Sequence, residues 1–164
     1  MIPVTIDPSD LDYTASHMES FEGRRQQILD SLSNSYVILR SADQGISNRH
    51  EFRPNNYFYY LTGFEEPNAV AVLAPGRDKG QYLLFCRERD PERERWDGSR
   101  LGPDGAVEHC GADDAFPIDD IDDILPGLLE RCDRVFYTMG SDPVFDRRVL
   151  DWVNRLRQGG RAGI

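Results

Sequence analysis

The sequence predicts an α/β domain in which a mixed, partly antiparallel central sheet is flanked by helices. Short apolar segments bounded by polar residues are typical of buried strands, and longer segments with apolar residues at helical spacing are typical of amphipathic helices. Residues 69–74 and 81–86 are two such strands, separated by the turn-forming residues 75–80, which indicates an antiparallel hairpin. The length of 164 residues suits one domain.

The first part of the chain predicts an arm, a helix, a strand and a loop. Residues 1–15 are polar with few periodic apolar positions, and we expect them to form an extended amino-terminal arm. A capping-box pattern at residues 16–19 and the apolar spacing behind it predict a helix over 17–32. Residues 35–40, SYVILR, predict a buried strand. The polar segment 41–56 predicts a long loop, and loops of this length are often functional.

The aromatic run at residues 57–61, YFYYL, suits either a buried strand or one turn of helix, and the residues do not decide between the two. Residues 87–105 form a second polar stretch without a clear element. Apolar spacing then predicts a helix near 119–130, which Pro126 would kink or split.

The last part of the chain predicts a strand, a helix and a linker. Residues 134–137, RVFY, predict a short strand. Asp142 followed by Pro143 is typical of a helix start, and the apolar face behind them predicts a helix over 143–157. That face contains Trp152 and Leu156, which we expect to pack against the sheet. The glycine-rich end, residues 158–164, has linker composition. These boundaries give an arm (1–15), a domain (16–157) and the start of a linker (158–164).

Composition excludes several classes of partner. The formal net charge is −10, which disfavours binding to nucleic acids and to anionic membranes. The sequence contains neither an apolar run of about 20 residues nor a signal-peptide pattern, so we expect a cytoplasmic protein. The three cysteines form no CxxC pair, which argues against a disulfide framework and a structural zinc site; we expect Cys86, Cys110 and Cys132 to be small buried side chains.

Local motifs indicate no catalytic machinery. A GxSxG, HExxH or phosphate-binding glycine motif is missing from the sequence. His50 and Glu51 are adjacent on a predicted loop, where neighbours rarely point together, so a catalytic dyad is not expected. The aspartates between 113 and 123 lack the spacing of a calcium-binding loop and are better explained by the start of a helix, which favours negative charge.

Trp96 lies in a polar, glycine-flanked segment, WDGSR, and has two interpretations. A large aromatic side chain in such a loop is often covered by a ligand or a partner. Large aromatic residues are also frequent in cores, and composition alone favours the interpretation that Trp96 covers its own domain.

Three segments together resemble one known family. Residues 53–70, RPNNYFYYLTGFEEPNAV, are similar to its FRQxSxFYYLTGFxEPxAV motif, and residues 85–102, FCRERDPERERWDGSRLG, to its FCRxRDPxxExWxGxRLG motif. Residues 22–29, EGRRQQIL, resemble its opening helix, FxxRRxxLxxxL. The family is that of the amino-terminal domain of Xaa-Pro aminopeptidase, or aminopeptidase P. The chain departs from the pattern at Pro54, Asn56 and Tyr57, where members have Gln, Ser, and Asp or His.

The resemblance implies a fold of the creatinase and aminopeptidase P amino-terminal type, and a parent enzyme that releases the first residue from peptides with proline second. Family members hold two metal ions, usually manganese, in a carboxy-terminal "pita-bread" domain built with two Asp, one His and two Glu ligands. We expect that domain to be absent from this chain, which would then contain no catalytic residue, metal ligand or cofactor of its own.

The resemblance also implies that the amino-terminal domain shapes the substrate cleft and mediates oligomerisation. The expected partners are therefore its own carboxy-terminal domain, further copies of the chain and Xaa-Pro peptides. The candidates for the cleft are Trp96, Asp97, Arg100, Arg53 and His50. Two alternatives stay open: the amino-terminal domain of a prolidase- or creatinase-like hydrolase, and a non-enzymatic peptide- or protein-binding module with the same fold.

Overall fold

The computed structural model describes residues 8–41 and 56–162, and within these ranges a five-stranded sheet is covered by helices on both faces. The strands are β1 (Ser35–Arg40), β2 (Val70–Leu73), β3 (Tyr82–Cys86), β4 (Asp114–Pro117) and β5 (Arg134–Tyr137). The helices are α1 (Pro8–Ser31), α2 (Asn56–Thr62), α3 (Pro91–Asp97), α4 (Gly102–Cys110), α5 (Ile121–Leu129) and α6 (Pro143–Ala162). The predicted α/β class is confirmed.

The sheet is mixed, as predicted, and its strand order is β4-β3-β2-β1-β5. The pairs β1–β2 and β2–β3 are antiparallel, and the latter is the predicted hairpin, with Leu73 opposite Tyr82. The pairs β1–β5 and β3–β4 are parallel. Every strand except β2 therefore runs in the same direction, and their carboxyl ends lie at one edge of the sheet.

Each face of the sheet has its own apolar core. On one face α5 and α6 contribute Leu125, Phe145 and Trp152, which pack with sheet residues such as Ile38 and Phe85. On the other face α1, α2 and α4 contribute their own set of buried side chains: Leu29, Phe58 and Ala106. The central strands are buried on both sides, which explains why β2 and β3 are continuous apolar runs rather than alternating ones.

The first helix is longer than the sequence predicted. α1 begins at Pro8, so the prediction of an extended arm was wrong for residues 8–15, and residues 16–19 lie inside the helix rather than at its start. The spacing of apolar residues did not reveal the true start of α1, because the first turns of a helix can lack apolar periodicity. Proline and acidic residues suit the first turn of a helix, and Pro8, Ser9 and Asp10 stand in that turn. Residues 1–7 lie outside the described residues.

The aromatic run forms the short helix α2, which settles the choice that the sequence left open. Phe58 and Leu61 point into the core, whereas Tyr57 and Tyr60 are exposed, as the helical period requires. The loop predicted for residues 41–56 falls, apart from its two end residues, outside the described part of the chain.

The polar stretch 87–105 is more regular than expected, because it contains α3 and the start of α4. The strand β4 was missed, since its four residues, DAFP, include aspartate and proline, which are rare in strands. The predicted strand at 134–137 is confirmed as β5.

The two carboxy-terminal helices were predicted well except at their ends. α5 contains Pro126 and follows a 3₁₀ turn over Ile118–Asp120, so the interpretation of the aspartates as a helix start is confirmed for residues 119–123. It was wrong for Asp113 and Asp114, because Asp114 begins β4 and Asp113 accepts hydrogen bonds from the N–H groups of Gln81 and Tyr82. Asp142 caps α6 by accepting a hydrogen bond from the Phe145 N–H (3.0 Å). α6 continues through residues 158–162, which glycine content had assigned to a linker.

The cysteines are reduced and structural in character. Cys86 is buried, and Cys110 and Cys132 are partly buried, with all three free. Burial raises the pKa of the Cys86 thiol to about 12 and that of Cys110 to about 11. The thiols of Cys86 and Cys110 therefore stay protonated at neutral pH and behave as small apolar side chains.

Trp152 fixes α6 to the rest of the domain, as the sequence predicted. Its side chain is 1% exposed and lies edge-on to Phe145, with ring centroids 5.7 Å apart. Its indole N–H donates to Asp122 Oδ1 on α5 at 2.8 Å. Leu156, one turn further on, packs against the same core.

We expect Trp152→Ala to lower the free energy of unfolding by about 3–5 kcal/mol, because it removes a large buried side chain and its hydrogen bond. Denaturant unfolding measures the change. Leu150→Ala, on the exposed side of the same helix, is the control and should stay within about 0.5 kcal/mol of wild type. Equal stability of wild type and Trp152→Ala would contradict the packing of α6.

Candidate functional site

Trp96 is the most exposed large apolar side chain among the described residues. It lies in the last turn of α3 and is 89% exposed, in contrast to the buried Trp152. None of the residues of α3 is buried. The interpretation that Trp96 covers the core of its own domain is therefore wrong.

The start of α3 is fixed by two carboxylates. Asp90 is the N-cap residue and accepts hydrogen bonds from the N–H groups of Glu92 and Arg93, each at 3.2 Å. Glu94 completes a reciprocal pair of caps, because its Oε2 accepts a hydrogen bond from the Asp90 N–H at 3.1 Å. Pro91 occupies the first turn, where a missing N–H has no consequence. These contacts order a helix that has no apolar anchor.

The loop after Trp96 is fixed by the same glutamate. Glu94 Oε1 accepts from the backbone N–H of Arg100 at 2.7 Å and from Arg89 Nε at 3.3 Å. The chain can return to Glu94 because Gly98 takes a φ of +92°, a conformation that other residues avoid. The hydrogen bond from Arg100 is the main reason that the pKa of Glu94 lies below its ordinary value.

Arg100 lies beneath this loop with its side chain 9% exposed. It donates to the carbonyl oxygen of Glu88 at 3.2 Å and forms an ion pair with Asp97 at 3.9 Å. This distance is too long for a hydrogen bond, so the Asp97–Arg100 ion pair alone does not fix the loop. The carboxylate that fixes the loop is Glu94.

Glu66 joins this region to the sheet. Its Oε1 accepts from Arg87 Nη2 at 3.2 Å, just beyond β3, and its Oε2 accepts from the Leu101 N–H at 3.1 Å, just before α4. Sequence reasoning missed both Glu66 and Glu94. For Glu94 a signal existed, since Asp-Pro predicts a helix start and an acidic residue near it can cap that start.

The structure brings three of the five predicted cleft residues together: Trp96, Asp97 and Arg100. The other two, His50 and Arg53, lie outside the described residues. Within residues 8–41 and 56–162, histidine, cysteine and acidic side chains nowhere gather in a group that could hold a metal ion. In the same ranges no helix is both long and apolar enough to cross a membrane.

The pKa of Glu94 predicts how the loop responds to acid. Because this pKa is lowered on folding, its contribution to stability is complete above the ordinary value of 4.5 and is lost as pH falls through the lower, folded-state value. We expect the NMR signal of the Arg100 amide to titrate with a midpoint below 4.5. Glu94→Gln should abolish that titration, whereas Glu92→Gln, in the same helix, should leave it intact. A midpoint at or above 4.5 would contradict the assignment.

The chain matches a known domain family over most of its length. The family model described as "Aminopeptidase P, N-terminal domain" matches residues 21–137. Among curated proteins, the Xaa-Pro aminopeptidase of Escherichia coli is 34% identical over 155 residues, which cover 89% of this chain and 34% of that protein. Xaa-Pro aminopeptidase 3 of the rat is 37% identical over 110 residues, which cover 63% of this chain and 22% of that protein.

Solved structures agree with this match. The aminopeptidase PepP of Pseudomonas aeruginosa is 54% identical with a TM-score of 0.83, covering 89% of this chain and 34% of that one. Aminopeptidase P from Escherichia coli is 34% identical with a TM-score of 0.80 and the same coverage. The chain thus spans about a third of the length of these bacterial relatives. By sequence and by fold, the chain belongs to the family of aminopeptidase P amino-terminal domains.

Proposed function

We propose that this domain is the non-catalytic amino-terminal part of an Xaa-Pro aminopeptidase, an enzyme that releases the first residue of peptides with proline second. The observation that supports this most is the match over 89% of the chain to the Xaa-Pro aminopeptidase of Escherichia coli, at 34% sequence identity, and to the solved aminopeptidase PepP of Pseudomonas aeruginosa, at 54% sequence identity. The chain spans only about a third of such enzymes. We therefore assign the reaction to the remainder of the protein.

The metal chemistry belongs to that remainder as well. One solved relative is a zinc-substituted aminopeptidase P from Escherichia coli in complex with product. The described residues of this chain offer no group of ligands that fits such a metal centre. We propose that the parent enzyme holds two metal ions, manganese by family resemblance, in its carboxy-terminal domain, and that the present domain contributes only to binding and shape.

Trp96 is the residue through which we expect the domain to act on substrate. An indole that is 89% exposed leaves a large apolar area in water, and such surfaces usually bind something. Here the indole stands on a short helix fixed at both ends by Glu94. We propose that Trp96 is an aromatic wall of the substrate cleft, covered by another domain, by another subunit or by the peptide, with Asp97, Arg100, Arg53 and His50 around it.

The domain also offers features suited to assembly. Its exposed aromatic residues, such as Trp96 and Phe136, give apolar contacts for further copies of the chain or for its own carboxy-terminal domain. The net charge of −10 makes nucleic acid and anionic membranes unsuitable partners. The absence of disulfides among its three cysteines is in keeping with a cytoplasmic protein.

We expect the purified 164-residue chain to leave Xaa-Pro peptides intact, with and without added manganese, because residues 8–41 and 56–162 offer no group of ligands that could hold the metal ions of the reaction. Peptide cleavage is measured by chromatography of the products. The parent enzyme serves as the positive control. Metal-dependent turnover that stays with the chain through successive purification steps would contradict the proposal that catalysis belongs to the rest of the parent enzyme.

In the parent enzyme, we expect Trp96→Ala to change the Michaelis constant or the preference between short and long Xaa-Pro peptides, while metal content stays the same. Steady-state kinetics and metal analysis measure both. Val144→Ala removes another exposed apolar side chain, in the first turn of α6, and should leave kinetics unchanged.

In the 164-residue chain, Trp96→Ala should shift the unfolding free energy by no more than about 0.5 kcal/mol, since the side chain makes no buried contact. A large loss of stability together with unchanged kinetic constants would assign a structural role to Trp96 and overturn its placement in the substrate cleft.

A further inference from the structure

An arginine-lined cleft opens at the edge of the sheet where the parallel strands end. It has a volume of about 770 Å³ and lies beside the ends of β1 and β3, the start of β2 and one side of α3. In open α/β sheets, ligands bind preferentially outside the carboxyl ends of the strands. Six of the chain's arginines line this arginine cleft: Arg40, Arg87, Arg89, Arg93, Arg100 and Arg148.

On the α6 side of the cleft, the guanidinium groups of Arg40 and Arg148 are oriented by contacts with other side chains of the domain. Arg40, the last residue of β1, forms an ion pair with Asp142 and lies over the Phe145 ring, 4.5 Å from its centroid. Arg148 donates to Asp122 at 3.0 Å. A guanidinium group that is already oriented loses little side-chain freedom when it binds a ligand, which favours binding at this wall.

The opposite wall contains two buried donors that lack an acceptor. The side chains of Arg87 and Arg100 are 11% and 9% exposed, and each donates through a terminal nitrogen, to Glu66 and to the Glu88 carbonyl. Among the described residues, however, no acceptor lies within hydrogen-bond distance of their buried Nε–H groups. Buried donors in native proteins are nearly always paired, so each of these groups calls for an acceptor from beyond the described residues, and a bound ligand would supply one.

Charge narrows the chemistry of that acceptor. Four acidic residues also line the arginine cleft (Glu88, Asp90, Asp97 and Asp119), and each of the six arginines forms an ion pair with a carboxylate, so the cleft has no large excess of positive charge. A polyanion would meet these carboxylates and the net charge of the whole chain, −10. A ligand with one or two negative charges and planar, fork-like oxygens matches the arginines without that repulsion.

We propose that the arginine cleft is a binding site for a carboxylate-bearing ligand, held by Arg87 and Arg100 in the interior and by Arg93 at the rim. The carboxylate comes from either a small organic acid or an acidic side chain or terminus of a peptide, since both present the same group. The arginine cleft shares Asp97 and Arg100 with the substrate cleft proposed above, but Trp96 does not line it. The binding test below therefore uses the 164-residue chain, and its outcome is separate from the kinetic test of Trp96 in the parent enzyme.

Direct titration of the 164-residue chain tests the site. The probes are succinate, the tripeptide Gly-Glu-Gly with acetylated and amidated ends and, for comparison, inorganic phosphate, at constant ionic strength. Two-dimensional ¹H–¹⁵N spectra resolve arginine Nε–H groups apart from backbone amides. We expect saturable shifts of the Arg87 and Arg100 Nε–H signals when succinate or the peptide is added. The probe with the lower dissociation constant identifies the source of the carboxylate. Tighter binding of phosphate than of both would overturn the carboxylate assignment.

Three variants locate the site. Arg100→Lys keeps the charge but removes the buried Nε–H, and should weaken binding about tenfold. Arg93→Gln, at a side chain that is 73% exposed, should fold normally and weaken binding about threefold. Arg95→Gln makes the same charge change on the same helix outside the cleft and should have no effect. Absence of saturable binding by either carboxylate, or equal losses in Arg93→Gln and Arg95→Gln, would overturn the proposal.

Discussion

The burial of the central hairpin on both of its faces is the constraint on which the rest of the domain depends. Every side chain of β2 and β3 is excluded from water, so the sheet needs apolar helices above and below it. α5 and α6 cover one face, and α1, α2 and α4 cover the other. With both faces covered, the sheet itself can meet other molecules only at its edges and at its strand ends, where Glu66, Glu94 and the arginines of the cleft lie.

At those strand ends, hydrogen bonds to carboxylates hold the chain in place, as apolar contacts do in the core. Glu66 joins the end of β3 to the start of α4, and Glu94 closes the loop that follows Trp96. Glu66 accepts one hydrogen bond from a backbone N–H and one from an arginine, and Glu94 accepts two from backbone N–H groups and one from an arginine. Because hydrogen bonds to charged groups are short and directional, they can order a segment without burying it. The same contacts orient the arginines that line the neighbouring cleft.

Periodicity was sufficient for elements whose apolar face meets the core, and it failed where polar contacts determine the structure. The hairpin and α6, with its anchor Trp152, follow from the spacing of apolar residues. α3 has no buried residue, so no apolar pattern could reveal it. The early start of α1 and the short edge strand β4 were missed for a related reason: neither has a complete apolar face in the sequence. Glu66 and Glu94 act through contacts distant in sequence, which spacing does not encode. For this domain, the family motifs therefore identified the family, which composition and periodicity alone did not.

The two tryptophans differ in what holds them: one is part of the folded core, and the other is exposed on the surface. Trp152 is fixed by an apolar core and a hydrogen bond to Asp122, so its removal acts on stability. Trp96 stands on a helix held by charge-assisted hydrogen bonds alone, and its indole has almost no contact with the domain. A residue placed in this way can change with the requirements of a partner or substrate without loss of the fold. The cost of its exposed apolar surface is offset only when something covers it, which makes the surface around Trp96 the part of the domain most dependent on the rest of the protein.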